Sequence, residues 1–263
     1  MNITTTALLC VALAGTFGYV ARANQEKPKA GNLMKIIGHR GAPTYATENT
    51  IASFQKAIDL GVWAIELDVR RCKSGQLILM HDADIDRVSG VHGLVNDMEL
   101  NELQAITLKT GGTIPTLAEA LDSIGARVNV ILDIKEEGLA ADIATLVHTY
   151  VKTKGWKYDQ FFATGFEHRE LKKIHDLIPA IRLIPATAGT PYTLAQFGLE
   201  LNAYAICLID FVFSKPLFDD ARKRGLNVWV WVSNEHADNI KKFKSLGVDA
   251  IMVNAPDNVY KES

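Results

Sequence analysis

Short apolar runs alternate with segments of helical periodicity along most of the chain. The main runs predict eight strands, at residues 34–38, 63–69, 128–134, 161–164, 182–186, 205–209, 228–232 and 250–253. A shorter run at residues 77–80 follows the second of them and predicts a companion strand.

The segments between these runs read as helices. In the first, Ile51, Phe54 and Ile58 recur at steps of three and four residues after a cap at Asn49 or Thr50. The helices are predicted at residues 50–60, 117–124, 139–152, 167–177, 192–197, 216–224 and 235–246.

This order predicts one α/β domain at residues 33–263, a (β/α)8 TIM barrel. Residues 82–112 are irregular apart from a short helix at 100–106, and form a small inserted segment after the second strand. A doubly wound open sheet is the rival fold. It usually has fewer strands and often a Gly-rich nucleotide turn after the first, whereas this chain has Gly38-His39-Arg40-Gly41 there.

Composition narrows the function classes. The 263 residues are 48% hydrophobic and carry a formal net charge of -2, so a core is expected and a broad basic surface for nucleic acid is not. Cys10, Cys72 and Cys207 lack the spacing of metal ligands or of a disulfide framework.

The first 32 residues differ from the rest. Residues 3–21 carry no charge, and a small-x-small pattern precedes Asn24, although residues 1–6 lack Lys and Arg. We expect residues 1–32 to be a signal peptide or an uncleaved membrane anchor plus a spacer, and the protein to be exported or membrane-anchored. A soluble N-terminal helix is the alternative.

Reactive side chains fall where the predicted strands end. In a barrel of this type the carboxyl ends of the strands carry the active site. The residues at those ends are His39, Arg40, Glu66, Asp68, His81, Asp133 and Lys135.

Spacing suggests that three acids converge. Residues two apart in a strand point to the same side, as Glu66 and Asp68 do, and likewise Asp133 and Lys135. Converging carboxylates need protonation or a cation, and oxygen ligands suit Mg2+ or Ca2+. The alternative is a set of buried ion pairs, Asp133 with Lys135 or Glu66 with Arg70.

The remaining residues at the strand ends suggest proton transfer during a reaction of an anionic substrate. His39 and His81 can exchange protons near neutral pH, and Arg40 and Lys135 supply positive charge. With a divalent cation, this set predicts metal-assisted phosphoester cleavage. Metal-dependent enolisation or aldol chemistry would use similar parts and stays open.

Longer motifs resemble the glycerophosphodiester phosphodiesterase family in that family's order. They are "GHRGA" at 38–42, "ENTIASFQKAIDLG" at 48–61, "ELDVRRCKSGQLILMHD" at 66–82, "DRVSGVHG" at 86–93, "IPTLAEAL" at 114–121, "LDIK" at 132–135, "VWVWVSN" at 228–234 and "GVDAIMVNAPD" at 247–257.

The resemblance implies a TIM barrel that hydrolyses glycerophosphodiesters to sn-glycerol 3-phosphate and an alcohol with one divalent cation, Mg2+ or Ca2+. It also implies that the glycerol hydroxyl of the substrate attacks phosphorus and that water opens the cyclic phosphate. It gives the residues these roles: His39 and His81 as the acid and base pair, Glu66, Asp68 and Asp133 as metal ligands, Arg40 and Lys135 near the phosphate, and Trp231 lining the substrate.

The chain departs from the family pattern at three positions. Thr47 replaces a frequent Pro, Asp133 stands where many members have Glu, and Asn254 stands where Asp is common. Two other functions remain in view: a lysophospholipase D-like activity at a membrane, and a non-catalytic protein that binds glycerophosphodiesters. A proton-transfer pair argues against the binder, since binding alone does not need one.

Overall fold

The computed structural model describes residues 33–233 and 235–261. The leader and spacer predicted at residues 1–32 lie outside the described residues, so that domain boundary stays a prediction. None of the helices in the described part of the chain combines the length and the apolar character needed to cross a bilayer.

Eight parallel strands form a closed barrel. Each strand pairs with its neighbours, and the first, β1 (Lys35–Gly38), pairs with both the last, β9 (Ala250–Val253), and the second, β2 (Ala64–Arg71), which closes the sheet and excludes an open one. The predicted (β/α)8 fold is therefore confirmed. The barrel strands are β1 (Lys35–Gly38), β2 (Ala64–Arg71), β4 (Asn129–Ile134), β5 (Phe161–Gly165), β6 (Arg182–Thr187), β7 (Ala205–Ile209), β8 (Asn227–Trp231) and β9 (Ala250–Val253).

The strand β3 (Leu77–Leu79) is the predicted companion strand. It pairs antiparallel with the end of β2, with Val69 opposite Leu79. Met80 then donates its backbone N–H to the carbonyl of Asp68 at 3.0 Å. This pairing brings the residues after β3 back to the carboxyl end of β2.

Helices cover the outside of the barrel. In α1, the Thr50 hydroxyl caps the first turn by accepting from the Ser53 N–H, and Phe54 and Ala57 are buried against the strands. The helices are α1 (Ile51–Asp59), α2 (Asp86–Ser89), α3 (Leu100–Ala105), α4 (Leu117–Ile124), α5 (Ala140–Thr153), α6 (His168–Leu177), α7 (Gln196–Glu200), α8 (Lys215–Lys223), α9 (Ala237–Leu246) and α10 (Pro256–Lys261).

The predicted helix at 192–197 is wrong in position. Leu194 has a φ of +50°, in the left-handed region, and its N–H bonds back to the Pro191 carbonyl in a turn. A helix cannot run through that conformation, so α7 begins at Gln196. Apolar spacing alone did not reveal the turn.

The inserted segment after β2 and β3 has a small core of its own. Ile85, Val88, Leu103 and Ile114 pack together with Ile78 of β3. The segment also contacts the loop after β1, where the Thr47 hydroxyl donates to the Gly111 carbonyl at 2.5 Å. The insertion is thus a structured cover beside the carboxyl end of the barrel.

Aromatic side chains fill part of the barrel interior. Phe162 and Trp229 point inward, and Trp63 packs edge-on against both. Trp63 immediately precedes β2, so this cluster lies toward the amino-terminal end of that strand. The carboxyl ends are left to polar residues.

Candidate active site

A tight turn after β1 presents His39 and Arg40. Gly41 has a φ of +94°, and a Cβ on Gly38 would lie 2.3 Å from the Gly41 carbonyl oxygen. Arg40 itself has a φ of +53° and is held there by its N–H, which donates to Glu66 Oε2 at 2.7 Å. The two glycines let the chain turn sharply here, because a side chain at either position would clash with neighbouring atoms.

Three carboxylates meet on the adjoining strands β2 and β4. Asp68 lies opposite Asp133 in the strand register, and Glu66 precedes Asp68 on the same face. One oxygen from each of the three lies within 4.8 Å of the others. Glu66 and Asp68 are fully buried, so their mutual repulsion is not screened by water.

This crowding changes the pKa values of the carboxylic acids. Burial, then the charges of Asp68 and Asp133, raises the pKa of Glu66 well above its usual value. Burial also raises the pKa of Asp133; Lys135 opposes this effect, and the charge of Asp68 adds a smaller rise. Without a cation, the cluster therefore holds protons at pH values where free carboxyls are ionised.

Asp68 is the exception in the cluster. Burial would raise its pKa, but Lys135 and Arg40 outweigh that effect and hold the pKa well below its usual range. Lys135 Nζ lies 2.8 Å from Asp68 Oδ1, and Arg40 Nε lies 3.2 Å from Asp68 Oδ2. Asn49 adds a hydrogen bond from its amide nitrogen to Asp68 Oδ2 at 2.6 Å.

The cluster retains oxygens that nothing in the described structure satisfies. Glu66 Oε1 and Asp133 Oδ1 are buried without a hydrogen-bond partner among the described residues. Buried polar atoms are rarely left so, and the donor set is all carboxylate. Glu66, Asp68 and Asp133 therefore fit a hard divalent cation.

Of the two buried ion pairs that were the alternative to a metal site, the structure contains one. Lys135 does pair with Asp133, at 2.5 Å. Arg70 does not pair with Glu66: it donates to the His81 carbonyl from Nε at 3.1 Å and lies 3.4 Å from Glu136. Among the described residues, the Glu66 carboxylate accepts one hydrogen bond, from the Arg40 backbone N–H.

His39 is buried and backed by an amide. Its Nδ1 lies 2.8 Å from Asn254 Oδ1, and its ring centroid lies 5.1 Å from that of Trp231. Burial, followed by the charge of Arg40, lowers the pKa of His39 to about 4. His39 is accordingly neutral at physiological pH.

His81 has a different environment. Its Nδ1 lies 2.7 Å from Asp82 Oδ1, and its side chain is 35% exposed. Arg70 fixes the His81 backbone through two hydrogen bonds to its carbonyl oxygen. One histidine is thus paired with a neutral amide and the other with a carboxylate.

A cavity of about 330 Å3 opens at this end of the barrel. His39, Arg40 and Trp231, all predicted site residues, lie on its wall beside Glu48 and Asn254. The structure thus puts three of the eight predicted residues on the cavity wall and the three carboxylates with Lys135 in the adjoining cluster. His81 lies after β3, near enough for its charge to act on Asp68 and Asp133.

Several residues at the site were not predicted from the sequence. Asn49, with a φ of +56°, holds Asp68 from both sides, since its Oδ1 also accepts from the Asp68 N–H. In the sequence, Asn254 stands out only as a departure from the family pattern, yet it orients His39. Glu48 forms ion pairs with Arg40 and Arg87, and Arg87 also forms one with Asp82. Contacts 39 residues apart, such as Arg87 with Glu48, leave no local signal.

Comparison with known proteins agrees with the motifs. Residues 39–258 match the model of the Glycerophosphoryl diester phosphodiesterase family. A glycerophosphodiester phosphodiesterase of Caldanaerobacter subterraneus is 27% identical, over 85% of this chain and 95% of that protein. A lysophospholipase D of Rattus norvegicus is 25% identical, over 90% of this chain and 88% of that protein.

A solved structure has the same fold. A phosphodiesterase of Oleispira antarctica, in complex with the product sn-glycerol-3-phosphate, superposes with a TM-score of 0.78 at 25% identity, covering 88% of this chain and 96% of that one. The family match spans most of the chain and the closed barrel is shared. The chain therefore belongs to the glycerophosphoryl diester phosphodiesterase family and is a phosphoric diester hydrolase.

Proposed function

We propose that this enzyme hydrolyses glycerophosphodiesters to sn-glycerol 3-phosphate and an alcohol, using His39 and His81 for proton transfer. One divalent cation, Mg2+ or Ca2+, would be held by Glu66, Asp68 and Asp133. The observation that carries the proposal is the buried carboxylate cluster with unsatisfied oxygens beside two imidazoles and two cationic side chains. The product bound to the Oleispira antarctica relative supports the choice of substrate.

His39 is proposed as the general base. Asn254 Oδ1 can only accept a hydrogen bond, so His39 Nδ1 carries the proton and Nε2 carries the lone pair. The lowered pKa of His39 keeps that lone pair free at neutral pH. The proton it accepts would come from the substrate glycerol hydroxyl that attacks phosphorus, by the route that the family resemblance implies.

His81 is proposed as the general acid. Asp82 accepts from His81 Nδ1 and orients the ring, which leaves Nε2 to protonate the departing alcohol. The pKa of Asp82 is lowered despite its burial, because His81 and Arg87 both donate to it, so Asp82 stays ionised. Water would then open the cyclic phosphate with the two roles reversed.

Arg40 and Lys135 are proposed to bind the phosphoryl group, whose charge grows on its equatorial oxygens in the transition state. Both already face the carboxylate cluster, with Lys135 only 13% exposed and Arg40 only 12% exposed. A bound cation would offset much of the negative charge of the carboxylates and polarise a phosphoryl oxygen. Trp231, on the cavity wall, is proposed to contact the substrate.

The proposal is tested with purified protein and glycerophosphocholine, glycerophosphoethanolamine and lysophosphatidylcholine, with product release followed by mass spectrometry. We expect sn-glycerol 3-phosphate from the first two and a loss of about 10²- to 10⁴-fold in kcat for His39→Ala and for His81→Ala. His148→Ala is the matched control, because His148 pairs with Tyr158 on an outer helix. No cleavage of any substrate, or unchanged rates in both variants, would contradict the proposal.

A second candidate activity is the release of choline from lysophosphatidylcholine. The similarity to a lysophospholipase D over 90% of this chain favours including it. The same assay separates the two activities, because lysophosphatidylcholine yields lysophosphatidic acid rather than sn-glycerol 3-phosphate. A kcat/KM for lysophosphatidylcholine above that for glycerophosphocholine would favour the second activity.

Export or membrane anchoring is a further part of the proposal, supported by the uncharged stretch at residues 3–21. Fractionation of cells expressing the full chain tests it. We expect the protein outside the cytoplasm or in the membrane fraction. Recovery of the unprocessed chain in the cytoplasmic fraction would overturn this part.

A further inference from the structure

One arginine of the inserted segment links the two sides of the candidate site. Arg87 lies in α2, outside the barrel, yet its guanidinium meets two carboxylates from separate loops. Its Nη1 and Nη2 donate to the two oxygens of Glu48, at 2.8 and 2.7 Å, and its Nε donates to Asp82 Oδ2 at 2.6 Å. All three guanidinium nitrogens are therefore engaged with carboxylates.

Each of those two carboxylates also forms a hydrogen bond with a proposed site residue. Glu48 Oε1 also accepts from Arg40 Nη1 at 2.8 Å. Asp82 Oδ1 pairs with His81 Nδ1 at 2.7 Å. The result is a continuous chain of alternating charge from His81 through Asp82, Arg87 and Glu48 to Arg40.

The pKa shifts of Glu48 and Arg87 agree with ion pairs of fixed geometry. Burial alone would raise the pKa of Glu48, but hydrogen bonds and charges from Arg87 and Arg40 outweigh it and leave the pKa lowered. The pKa of Arg87 is raised, first by its hydrogen bonds to Glu48. A planar guanidinium with two paired donors on one carboxylate fixes orientation as well as distance, which an ammonium cannot do.

We propose that Arg87 is a positioning residue that sets the placement of His81 relative to Arg40. It acts through Asp82 and Glu48 and does not itself need to touch the substrate. The inserted segment then contributes to catalysis by holding the proposed acid against the proposed phosphate-binding arginine. This inference rests on the proposed function of His81 and Arg40.

The kinetic test uses the full chain with glycerophosphocholine. We expect Arg87→Met to lower kcat by about 10- to 100-fold, the scale of a misplaced catalytic group. KM should change by less than about threefold, because Lys135 and Arg40 remain. Arg87→Lys should recover only part of the loss, since an ammonium cannot bridge both carboxylates in the same geometry.

Arg71→Met is the matched control. Arg71 forms an ion pair with Asp142 on the outer helix α5 and bonds the Gly138 carbonyl, away from the site. It should lose a comparable amount of thermal stability and keep kcat within about twofold, since surface ion pairs contribute about 0–1 kcal/mol to folding. An equal fall in kcat for Arg71→Met and Arg87→Met would overturn the proposal.

A double-mutant cycle separates positioning from general damage. If Arg87 acts through Asp82, Asp82→Asn combined with Arg87→Met should be no slower than the slower single variant. Multiplied losses in the double variant would overturn the inference. If Arg87→Met does not fold, the same cycle is run with Arg87→Lys.

A measurement without turnover keeps this inference distinct from the proposed function. In a 15N NMR spectrum at about pH 9, where imidazoles are neutral, the wild-type His81 Nδ1 should carry its proton, held by Asp82. Arg87→Met should give averaged tautomers at His81, and Arg71→Met should not. An unaltered His81 tautomer in Arg87→Met would contradict positioning, whereas an inactive wild type with the expected NMR change would contradict only the proposed function.

Discussion

At the scale of single residues, environment divides side chains of the same type into different tasks. Asp68 and Asp133 lie side by side on neighbouring strands, yet the pKa of one is lowered and that of the other is raised. Lys135 pairs with both carboxylates, so the difference arises because Asp68 also receives Arg40 and the Asn49 amide. The two histidines differ in their partners: His39 faces the Asn254 amide, and His81 faces the Asp82 carboxylate.

Glu66 gives a prediction about stability and pH. Its pKa is raised in the folded state, so its contribution to stability is fully present below the unfolded value and is lost as pH rises toward the folded value. In chelator, Glu66→Gln should therefore raise the free energy of unfolding at pH 7, by about 1 kcal/mol or more, the scale of one pKa unit. The gain should shrink below about pH 4.

Urea denaturation at the two pH values measures this effect. The exposed Glu137 provides the control, because Glu137→Gln removes an acid outside the cluster. Saturating Mg2+ or Ca2+ should reverse the order of the wild type and Glu66→Gln, since the wild type alone keeps all three ligands. A Glu66→Gln protein less stable than the wild type in chelator would refute the electrostatic account of the cluster.

Asn254 gives a prediction about the His39 tautomer. Asn254→Ala removes the acceptor of His39 Nδ1 and should lower kcat by about tenfold or more, within the range of general acid–base catalysis. Asn254→Asp keeps an acceptor oxygen and should retain most of the activity. Asn129→Ala is the control, because the Asn129 amide bonds the Trp63 carbonyl at the other end of the barrel. Steady-state kinetics in which Asn254→Ala matches Asn129→Ala would count against this role.

At the scale of secondary-structure elements, the strands and their order could be predicted because each apolar run is bounded by turns and helices of clear periodicity. The same runs located Asp133 near the end of its strand and Glu66 and Asp68 on one face of theirs, although β2 continues to Arg71, so Glu66 lies in its first half. The turn at Leu194 could not be predicted, because it depends on a left-handed backbone at a residue type that rarely adopts it. The bridge from Arg87 to Glu48 and Asp82 joins distant parts of the chain, so no local pattern encodes it.

The turn between β1 and α1 gives a prediction about folding stability. A Cβ on Gly41 would lie 2.3 Å from Ser53 Oγ and 2.7 Å from the Ser53 backbone carbon. Gly75 has a similar φ, +92°, but nothing lies within 4 Å of a Cβ there. Both Gly→Ala changes carry the cost of a left-handed residue, about 1–2 kcal/mol, so their difference isolates the clash.

We expect Gly41→Ala to be less stable than Gly75→Ala by about 1–3 kcal/mol, the usual cost of overpacking. Ser53 cannot move freely, because its hydroxyl accepts from the Ala42 N–H and donates to the Arg40 carbonyl. Thermal or urea unfolding of the two variants measures the difference. Equal stabilities would show that the turn does not constrain Arg40 as described.

At the scale of the whole molecule, closure of the barrel brings together residues from β1, β2 and β4 that are nearly one hundred residues apart in sequence. The closed sheet puts all carboxyl ends at one face, while β1 begins at Lys35 on the opposite face. Leu33 and Met34, the first described residues, therefore enter the barrel at the end away from the cavity. The inserted segment and the loop after β1 complete the site from the cavity side.

Hydrolysis is proposed to depend on a divalent cation at the carboxylate cluster. The most direct measurement is the rate of sn-glycerol 3-phosphate release from glycerophosphocholine by chelator-treated enzyme, before and after Mg2+ or Ca2+ is added. We predict that the treated enzyme is inactive, that one of the two cations restores the rate, and that Asp133→Asn is not restored at the same cation concentration. An undiminished rate in the chelated enzyme, or full restoration of Asp133→Asn, would contradict the claim.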